Sequence, residues 1–426
     1  MMRRLWGILI GWLLSLAFAL NTGRELAWNI FYLLTATIVL SGLWAYANVN
    51  WVRVGRFTRA RRAQVGKLAE EQFEVRNLSR LPKLWLEVRD FSTLPGHHAS
   101  HVVSSLGGRR RQRWIVRTLC QQRGRFMLGP LTLSSGDPLG LFRFSRTLPA
   151  TSPIVVYPIT VDIPAFNPPI GILTGGDAMR RRTHYVTTNV SGVRDYEPGD
   201  SFNRIHWKSV ARTGRLVVKE FELDPTADLW LIVDMDRNVH VKAPWHPVER
   251  DEGPALLWKE SRRDITLAPS TEEYVVSVAA SLARHFLLRN RSVGLVAHSR
   301  HREVIQADRG ERQLTKILET LAVIEPLGNI PFSQVLTGEG QSLSRHTTLI
   351  VISPSPDPTW VAALRDLQRR GVYSVAVVVD AASFGPSLPC TSVLSELLAS
   401  GIVSYVVKRD DPLNEALTLP AQARTS

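Results

Sequence analysis

Two uncharged apolar runs open the chain, Leu5 to Gly23 and Leu26 to Val52, separated only by Arg24 and Glu25. Each is long enough to cross the hydrocarbon core of a bilayer as a helix. A two-residue junction has no room for a domain, so the expected arrangement is a tight helical hairpin with both ends on one side. Charge indicates which side: Arg3 and Arg4 precede the first run, and Arg53, Arg56, Arg59, Arg61 and Arg62 follow the second. The positive-inside rule places both ends in the cytoplasm, giving a multi-pass protein of the inner (cytoplasmic) membrane with its soluble part facing the cytoplasm. A competing reading takes Arg3, Arg4, the first run and Ala17-Phe18-Ala19 as a signal peptide. Under either reading the residues after 52 are expected in the cytoplasm. Trp6, Trp12, Trp28, Trp44 and Trp51 lie mostly near the ends of the runs, where they suit the headgroup zone.

Beyond these runs the chain is expected to fold in water. Its 426 residues are 44% hydrophobic and 21% charged, a balance that excludes a disordered, collagen-like or wholly membrane-embedded chain and suits two or three domains. Two distant cysteines, Cys120 and Cys390, exclude a disulfide framework and a CxxC site. The net charge of +14 is explained in part by the arginines after the second run, each attracted to anionic lipid by about 1 kcal/mol. Membrane lipid is therefore an expected partner. Nucleic acid is not, because Arg109 to Arg111 with Arg113, and Arg180 to Arg182, are not interleaved with stacking aromatics.

From 53 to 160 a basic juxtamembrane segment leads into alternating apolar residues such as Phe73 and Val75, Leu84, Leu86 and Val88, and Trp114 and Val116, with Pro and Gly turns between. This pattern predicts a small antiparallel β domain. Gly124 to Pro130 and Gly136 to Phe142 read as a strand, a turn and a second apolar edge. His97, His98 and His101 lie in a Pro/Gly/Ser loop with no carboxylate or thiol near in sequence, and are expected at the surface.

Residues 161 to 224 form a connector that carries Arg194-Asp195-Tyr196-Glu197-Pro198-Gly199-Asp200 and continues to Trp207-Lys208 and Arg212. Glu197 to Asp200 reads as a turn, with Asp200 capping a helix over Asn203 to Ala211. On that helix Arg204, Trp207 and Lys208 share a face. Composition favours Trp207 packed in the core, with the charges paired locally to Asp195, Glu197 and Asp200. The functional alternative is a docking surface made by Arg194, Tyr196, Asp200, Arg204, Trp207, Lys208 and Arg212, since Trp and Arg are enriched at binding hot spots.

From 225 to 426 strands and helices alternate. Strands are expected at Leu229 to Val233, Val293 to Ala297, Glu303 to Gln306, Thr348 to Ile352, Val372 to Val379 and Ile402 to Val407. Helices are expected at Glu272 to Arg289, Glu311 to Val323, Pro358 to Arg370 and Ser392 to Ala399. Continuous apolar strands predict a mostly parallel, doubly wound α/β sheet with helices on both faces. In such sheets ligands bind beyond the carboxyl ends of strands, here the loop Asp234-Met235-Asp236-Arg237-Asn238. Asp234, Asp236 and Asn238 at alternate positions could face a hard cation such as Mg²⁺, although Asp at a strand end also caps turns. No P-loop, dinucleotide fingerprint, GxSxG elbow or HExxH motif occurs.

With these residues in view, the chain resembles the bacterial family of domain of unknown function 58. The resemblance rests on the membrane hairpin, on Arg123-Gly124-Arg125 and Asp137-Pro138-Leu139-Gly140-Leu141-Phe142, and on Arg194 to Asp200 with Trp207-Lys208. It implies a final domain similar to von Willebrand factor type A, and a MoxR-type AAA ATPase as partner. It also implies a metal-ion-dependent adhesion site built from Asp-x-Ser-x-Ser, a Thr and a second Asp. Here both serines of the first loop are replaced, the loop at Gly328-Asn329-Ile330-Pro331 lacks the Thr, and Asp357 comes late in the third loop. An insertion from about His240 to Ser270 separates the first strand from its helix. The expectation is a non-catalytic membrane-anchored scaffold; the alternative is a metal-dependent hydrolase using Asp234 and Asp236.

Overall fold

A computed structural model of the chain describes residues 2–59, 61–149, 151–164, 166, 190–197, 205–221, 228–245, 267–345 and 347–421. These divide into two compact bodies.

The first body begins with helices α1 (Met2–Thr22) and α2 (Glu25–Asn50). They pack together through Trp12, whose Nε1 donates to Thr35 Oγ1 at 2.8 Å and whose ring lies 5.5 Å from Phe31. Among the described residues α2 is the one helix long and apolar enough to cross a membrane; the apolar stretch of α1, Trp6–Thr22, is shorter. The end of α2 is fastened to the β domain beyond it. Ser41, Ala45, Asn48 and Val49 form a buried stripe at helical spacing. Asn48 Nδ2 donates to the Gly136 carbonyl at 3.3 Å, and Lys83 Nζ donates to the Ala47 carbonyl at 2.6 Å, satisfying one of the orphan carbonyls of the last turn. Burial lowers the Lys83 pKa from its ordinary value.

Alternation then makes a β sandwich. One antiparallel sheet has the order β1 (Val52–Thr58), β3 (Leu68–Asn77), β6 (Arg111–Leu119). A second has the order β5 (His101–Val103), β4 (Leu86–Asp90), β8 (Leu131–Gly136), β9 (Arg143–Leu148). Inward residues of both sheets, among them Phe73, Val75, Leu86, Val88, Leu131 and Leu133, form one apolar core. A third sheet joins β2 (Arg62–Gln64), β10 (Ser152–Tyr157) and β7 (Gly124–Leu128) over Val65, Cys120, Leu128 and Ile154.

The three histidines depart from the expected surface cluster. His98 is exposed and His101 stacks on Trp114 with ring centroids 4.7 Å apart. His97 is turned inward with only 1% of its side chain exposed. Its Nε2 lies 2.9 Å from Asp90 Oδ2 and 3.4 Å from Glu71 Oε2, and its Nδ1 is 2.7 Å from Thr118 Oγ1. Arg56 completes the group, 2.7 Å from Asp90 and 3.3 Å from Glu71. The carboxylates come from outside the loop, Glu71 from β3 and Asp90 from the end of β4, so the loop by itself does not show the cluster.

The second body contains an antiparallel ribbon, β11 (Val190–Asp195) with β12 (Val217–Phe221), and a six-stranded sheet. Between the ribbon strands lies helix α3 (Trp207–Thr213), shorter and later than the expected 203–211. His206 stands at its N-cap and Gly214, with φ 69°, ends it. The expected cap Asp200, and Arg204, lie outside the described residues. The sheet contains β13 (Leu229–Val233), β14 (Val293–His298), β15 (Arg302–Asp308), β16 (Thr348–Ser353), β17 (Tyr373–Val379) and β18 (Val403–Val407) in the order β15-β14-β13-β16-β17-β18. All neighbours pair in parallel except β15, an antiparallel edge. Helices α4 (Thr271–Leu288), α5 (Gly310–Val323), α6 (Phe332–Gly340), α7 (Thr359–Arg369), α8 (Thr391–Ala399) and α9 (Leu413–Ala416) alternate with the strands. Helix α6 is an addition to the expected set. The order reverses at β13, so the switch point of this doubly wound sheet lies between β13 and β16.

Candidate functional site

The carboxyl end of β13 delivers Asp234 to the switch point with 2% of its surface exposed. Three loops converge there. In the first, Asp234 Oδ1 accepts from the Asp236 amide at 3.1 Å, and Asp236 Oδ1 accepts from the Asn238 amide and its Nδ2 at 3.1 and 2.9 Å. In the second, the Gly328 amide donates to the Met235 carbonyl at 2.9 Å and the Gly328 carbonyl accepts from the Arg237 amide at 3.0 Å. A Cβ on Gly328 would lie 2.5 Å from the His298 carbonyl oxygen and 2.7 Å from that of Met235, so only glycine allows this approach. In the third, at the end of β16, Ser353 Oγ donates to Asp234 Oδ2 at 2.6 Å and accepts from the Ser355 amide at 3.0 Å. His240 buttresses the first loop, with Nε2 3.0 Å from the Asp234 carbonyl oxygen and Nδ1 3.1 Å from Thr271 Oγ1.

Burial is the largest influence on the Asp234 carboxyl and pushes its pKa up. The Ser353 hydroxyl and the Asp236 amide oppose this, the Asp236 carboxylate adds to it, and the balance is about 7.

The expected metal ligands Asp234, Asp236 and Asn238 are thus brought together, but they bond to one another and to Ser353. Mg²⁺ prefers a near-octahedral set of oxygens. Here Asn238 turns a donor toward Asp236, and among the described residues no group of three His, Cys, Asp or Glu side chains converges to hold an ion. Asp357 is committed elsewhere: it accepts from the Thr359 amide and hydroxyl at 3.1 and 2.7 Å, opening α7. This arrangement fits a self-satisfied turn at a strand end and does not fit the implied adhesion-site cation. Sequence reasoning named the Gly328 loop but not the close approach that Gly328 allows, and it assigned no role to Ser353, His240 or Thr271. The signal for Ser353 is its place directly after an apolar strand, on the loop nearest the switch point.

The connector residues form a separate surface on the β11–β12 ribbon. The Tyr196 amide donates to the Leu216 carbonyl at 2.9 Å and the His206 amide to the Val217 carbonyl at 2.8 Å, holding both ends of the motif against β12. Arg194, Lys208 and Arg212 are exposed and Tyr196 is half-buried. Trp207 is 63% exposed, and α3 has no buried residue, so the expected packing of Trp207 in the core does not occur.

The insertion leaves and returns through one short bridge, Lys242 with Ser270, reinforced by a 2.8 Å ion pair between Lys242 and Glu272. Its residues 246–266 lie outside the described part.

Residues 192–243 match the family model described as "Protein of unknown function DUF58", a segment running from β11 through α3 to the Asp234 loop. The chain is 21% identical over 364 residues to "Uncharacterized protein YeaD" of Bacillus subtilis (strain 168), covering 82% of each chain. Among solved structures it is similar to the CARDB domain of the PF1109 protein from Pyrococcus furiosus, at 19% identity over 25% of this chain and 91% of that one, with a TM-score of 0.20. It is also similar to a von Willebrand factor type A protein from Catenulispora acidiphila, at 9% identity over 45% and 41% of the chains, with a TM-score of 0.28. The family-model match and the Bacillus relative together support the DUF58 family.

Proposed function

We propose that this chain is a membrane-anchored, non-catalytic scaffold that presents a type A-like α/β domain and its ribbon to a MoxR-type AAA ATPase or that ATPase's client. In this reading α1 and α2 form the anchor, both ends of the hairpin face the cytoplasm, and the two bodies work at the inner membrane surface.

The observation that carries the reading is Trp207, a large aromatic ring held in the open on a helix with no buried face, inside the segment that matches the family model. Leaving an indole in water forgoes the roughly 2 kcal/mol that burying a large apolar side chain gives. Lys208 and Arg212, one turn apart on the same helix, add positive charge beside it. An aromatic anchor flanked by basic residues is the composition of a protein-binding hot spot.

The test is mild crosslinking of the tagged full chain in its native membranes, with identification of the proteins that co-purify. Capture of an AAA ATPase by the wild type, lost in a Trp207→Ala, Lys208→Glu variant that melts like the wild type, supports the assignment. Undiminished capture by that variant refutes the surface, and no ATPase with either form refutes the partner. The hydrolase alternative requires a bound cation, so heat on titrating the wild type with Mg²⁺ or Mn²⁺, absent in Asp234→Ala, Asp236→Ala, would favour it over the scaffold.

A further inference from the structure

On the outer face of the β1–β3–β6 sheet two rungs pair glutamate with arginine, the rung between them is Phe57, Gln72 and Ile115, and one further rung carries arginine alone. Register sets Glu74 opposite Arg113 and Glu70 opposite Arg117. Both pairs close: Arg113 Nε bonds Glu74, Arg117 Nε reaches Glu70 Oε1 at 2.8 Å, and Arg59 adds a contact to Glu70 at 3.3 Å. On the rung nearest α2, however, Arg53, Arg76 and Arg111 stand abreast, all three exposed. Like charges directly opposite one another on a sheet are destabilising. Two more arginines join them from the turn before β6. That turn is tightly shaped: Arg109 has a left-handed φ of 55°, and a Cβ on Gly108 would lie 2.1 Å from the Arg80 carbonyl oxygen. The result is a concavity of about 470 Å³ lined by Arg76, Gly108, Arg109, Arg110 and Arg111, with no acid and no aromatic ring on its wall. Among the described residues none of these arginines, nor Arg53, takes part in an ion pair.

Its place in the chain says what it faces. Arg53 is the third residue after Asn50, the last of α2. A helix of 26 residues is about 39 Å long, against a hydrocarbon core of about 30 Å, so the foot of α2 emerges into the headgroup layer and brings the rung with it. Guanidinium groups bind phosphate oxygens through paired hydrogen bonds. The missing aromatic platform disfavours single-stranded nucleic acid.

We propose that the Arg53–Arg76–Arg111 rung and its adjoining concavity bind the phosphate of an anionic phospholipid headgroup in the membrane that holds α2, an assignment that rests on α2 being a membrane span. The site anchors the sandwich to the bilayer surface independently of the helix.

The test titrates the full chain, in a neutral detergent, with short-chain phosphatidylglycerol, short-chain phosphatidylcholine and inorganic phosphate. Phosphatidylglycerol is expected to bind the wild type at least about tenfold more tightly than the other two. The Arg76→Gln, Arg111→Gln variant should weaken that binding by about tenfold or more, from roughly fivefold per arginine. The Arg113→Gln, Arg117→Gln variant loses the same net charge from the rungs where arginine pairs with glutamate and should stay within about threefold of the wild type. Equal losses in the two variants, no preference for the anionic lipid, or inorganic phosphate binding as tightly as the lipid would each overturn the proposal. Circular dichroism melts confirm that the variants fold. Alkaline extraction of wild-type membranes separates the two failures: a chain that is stripped off removes the span and the proposal together, whereas a chain that stays while the variants bind alike removes the proposal alone.

Discussion

The hydroxyl of Ser353 donates to the carboxylate of Asp234 across 2.6 Å, tying the last residue of β16 to the residue directly after β13. Both strands run in parallel through the middle of the sheet, so this bond closes the switch point where a doubly wound fold ordinarily leaves a crevice. Asp234 is an acid whose neighbours are mostly protein donors, and its charge is costly where it sits.

That cost sets a pH dependence. The Asp234 carboxyl titrates near 7 when folded, against an ordinary 3.8, so between these values the folded chain keeps a proton that the unfolded chain has lost. The contribution of this group to stability is greatest below pH 4, falls as pH rises through 4 to 7, and is flat above. The full difference amounts to roughly 4 kcal/mol. In Asp234→Asn the decline should disappear, and thermal melts of the full chain in detergent from pH 4 to 8 measure it. Parallel profiles for the two proteins would contradict the assignment.

Asp90 should behave in the opposite sense. Burial alone would raise its pKa, but His97, Ser92 and Arg56 more than offset this and hold it below the ordinary carboxylate range. Its stabilising contribution is complete above the unfolded value and disappears as pH falls through the lower folded one. Asp90→Asn removes one of the two carboxylates that Arg56 contacts within this cluster, the other being Glu71, and should cost about 3 to 5 kcal/mol at neutral pH. Denaturant melts of the two proteins at pH 7 measure it, and a loss below about 1 kcal/mol would show that the cluster tolerates the missing charge.

Gly328→Ala should destabilise by about 1 to 3 kcal/mol, because the new methyl collides with backbone oxygens that have no rotamer through which to yield. Gly338→Ala, where an added Cβ meets nothing within 4 Å, serves as the matched control and should be neutral or slightly stabilising. A pair of melting curves decides it.

Trp207→Ala should leave stability within about 0.5 kcal/mol of the wild type, since no packing is lost from an exposed ring. A larger loss would mean that the indole is structural and would remove it from the proposed surface.

Much of the architecture is legible in the sequence because its signals are local. Most strands of the last domain are marked by apolar runs such as Leu349 to Ile352, and the sandwich by alternation such as Phe73 and Val75. Helix α6 is not legible, because its nine residues include Gly338 and Gly340 and come directly after Pro331, a composition that reads as a loop. At the switch point Asp234 and Ser353 are each marked by a place at a strand end, but the bond between them is not, since the two meet only through a parallel register 119 residues apart. His97 shows the same limit: it lies in a loop, and its partners Glu71 and Asp90 sit on strands outside it. Exposure of Trp207 is illegible for another reason. Tryptophan in a short helical segment is ordinarily buried, whereas here the whole of α3 has no buried residue.

The stripe of Ser41, Ala45, Asn48 and Val49 has a mechanical consequence. With the last turns of α2 clamped along the sandwich, and with Lys83 and Asn48 bonded across the joint, no hinge stands between the helix and the β domain. Transmembrane helices lean by about 20° on average, more in thin bilayers and less in thick ones. With α2 as the proposed membrane span, any such change of lean would swing the sandwich as a stiff arm, converting membrane thickness into the angle at which the β domain meets the bilayer.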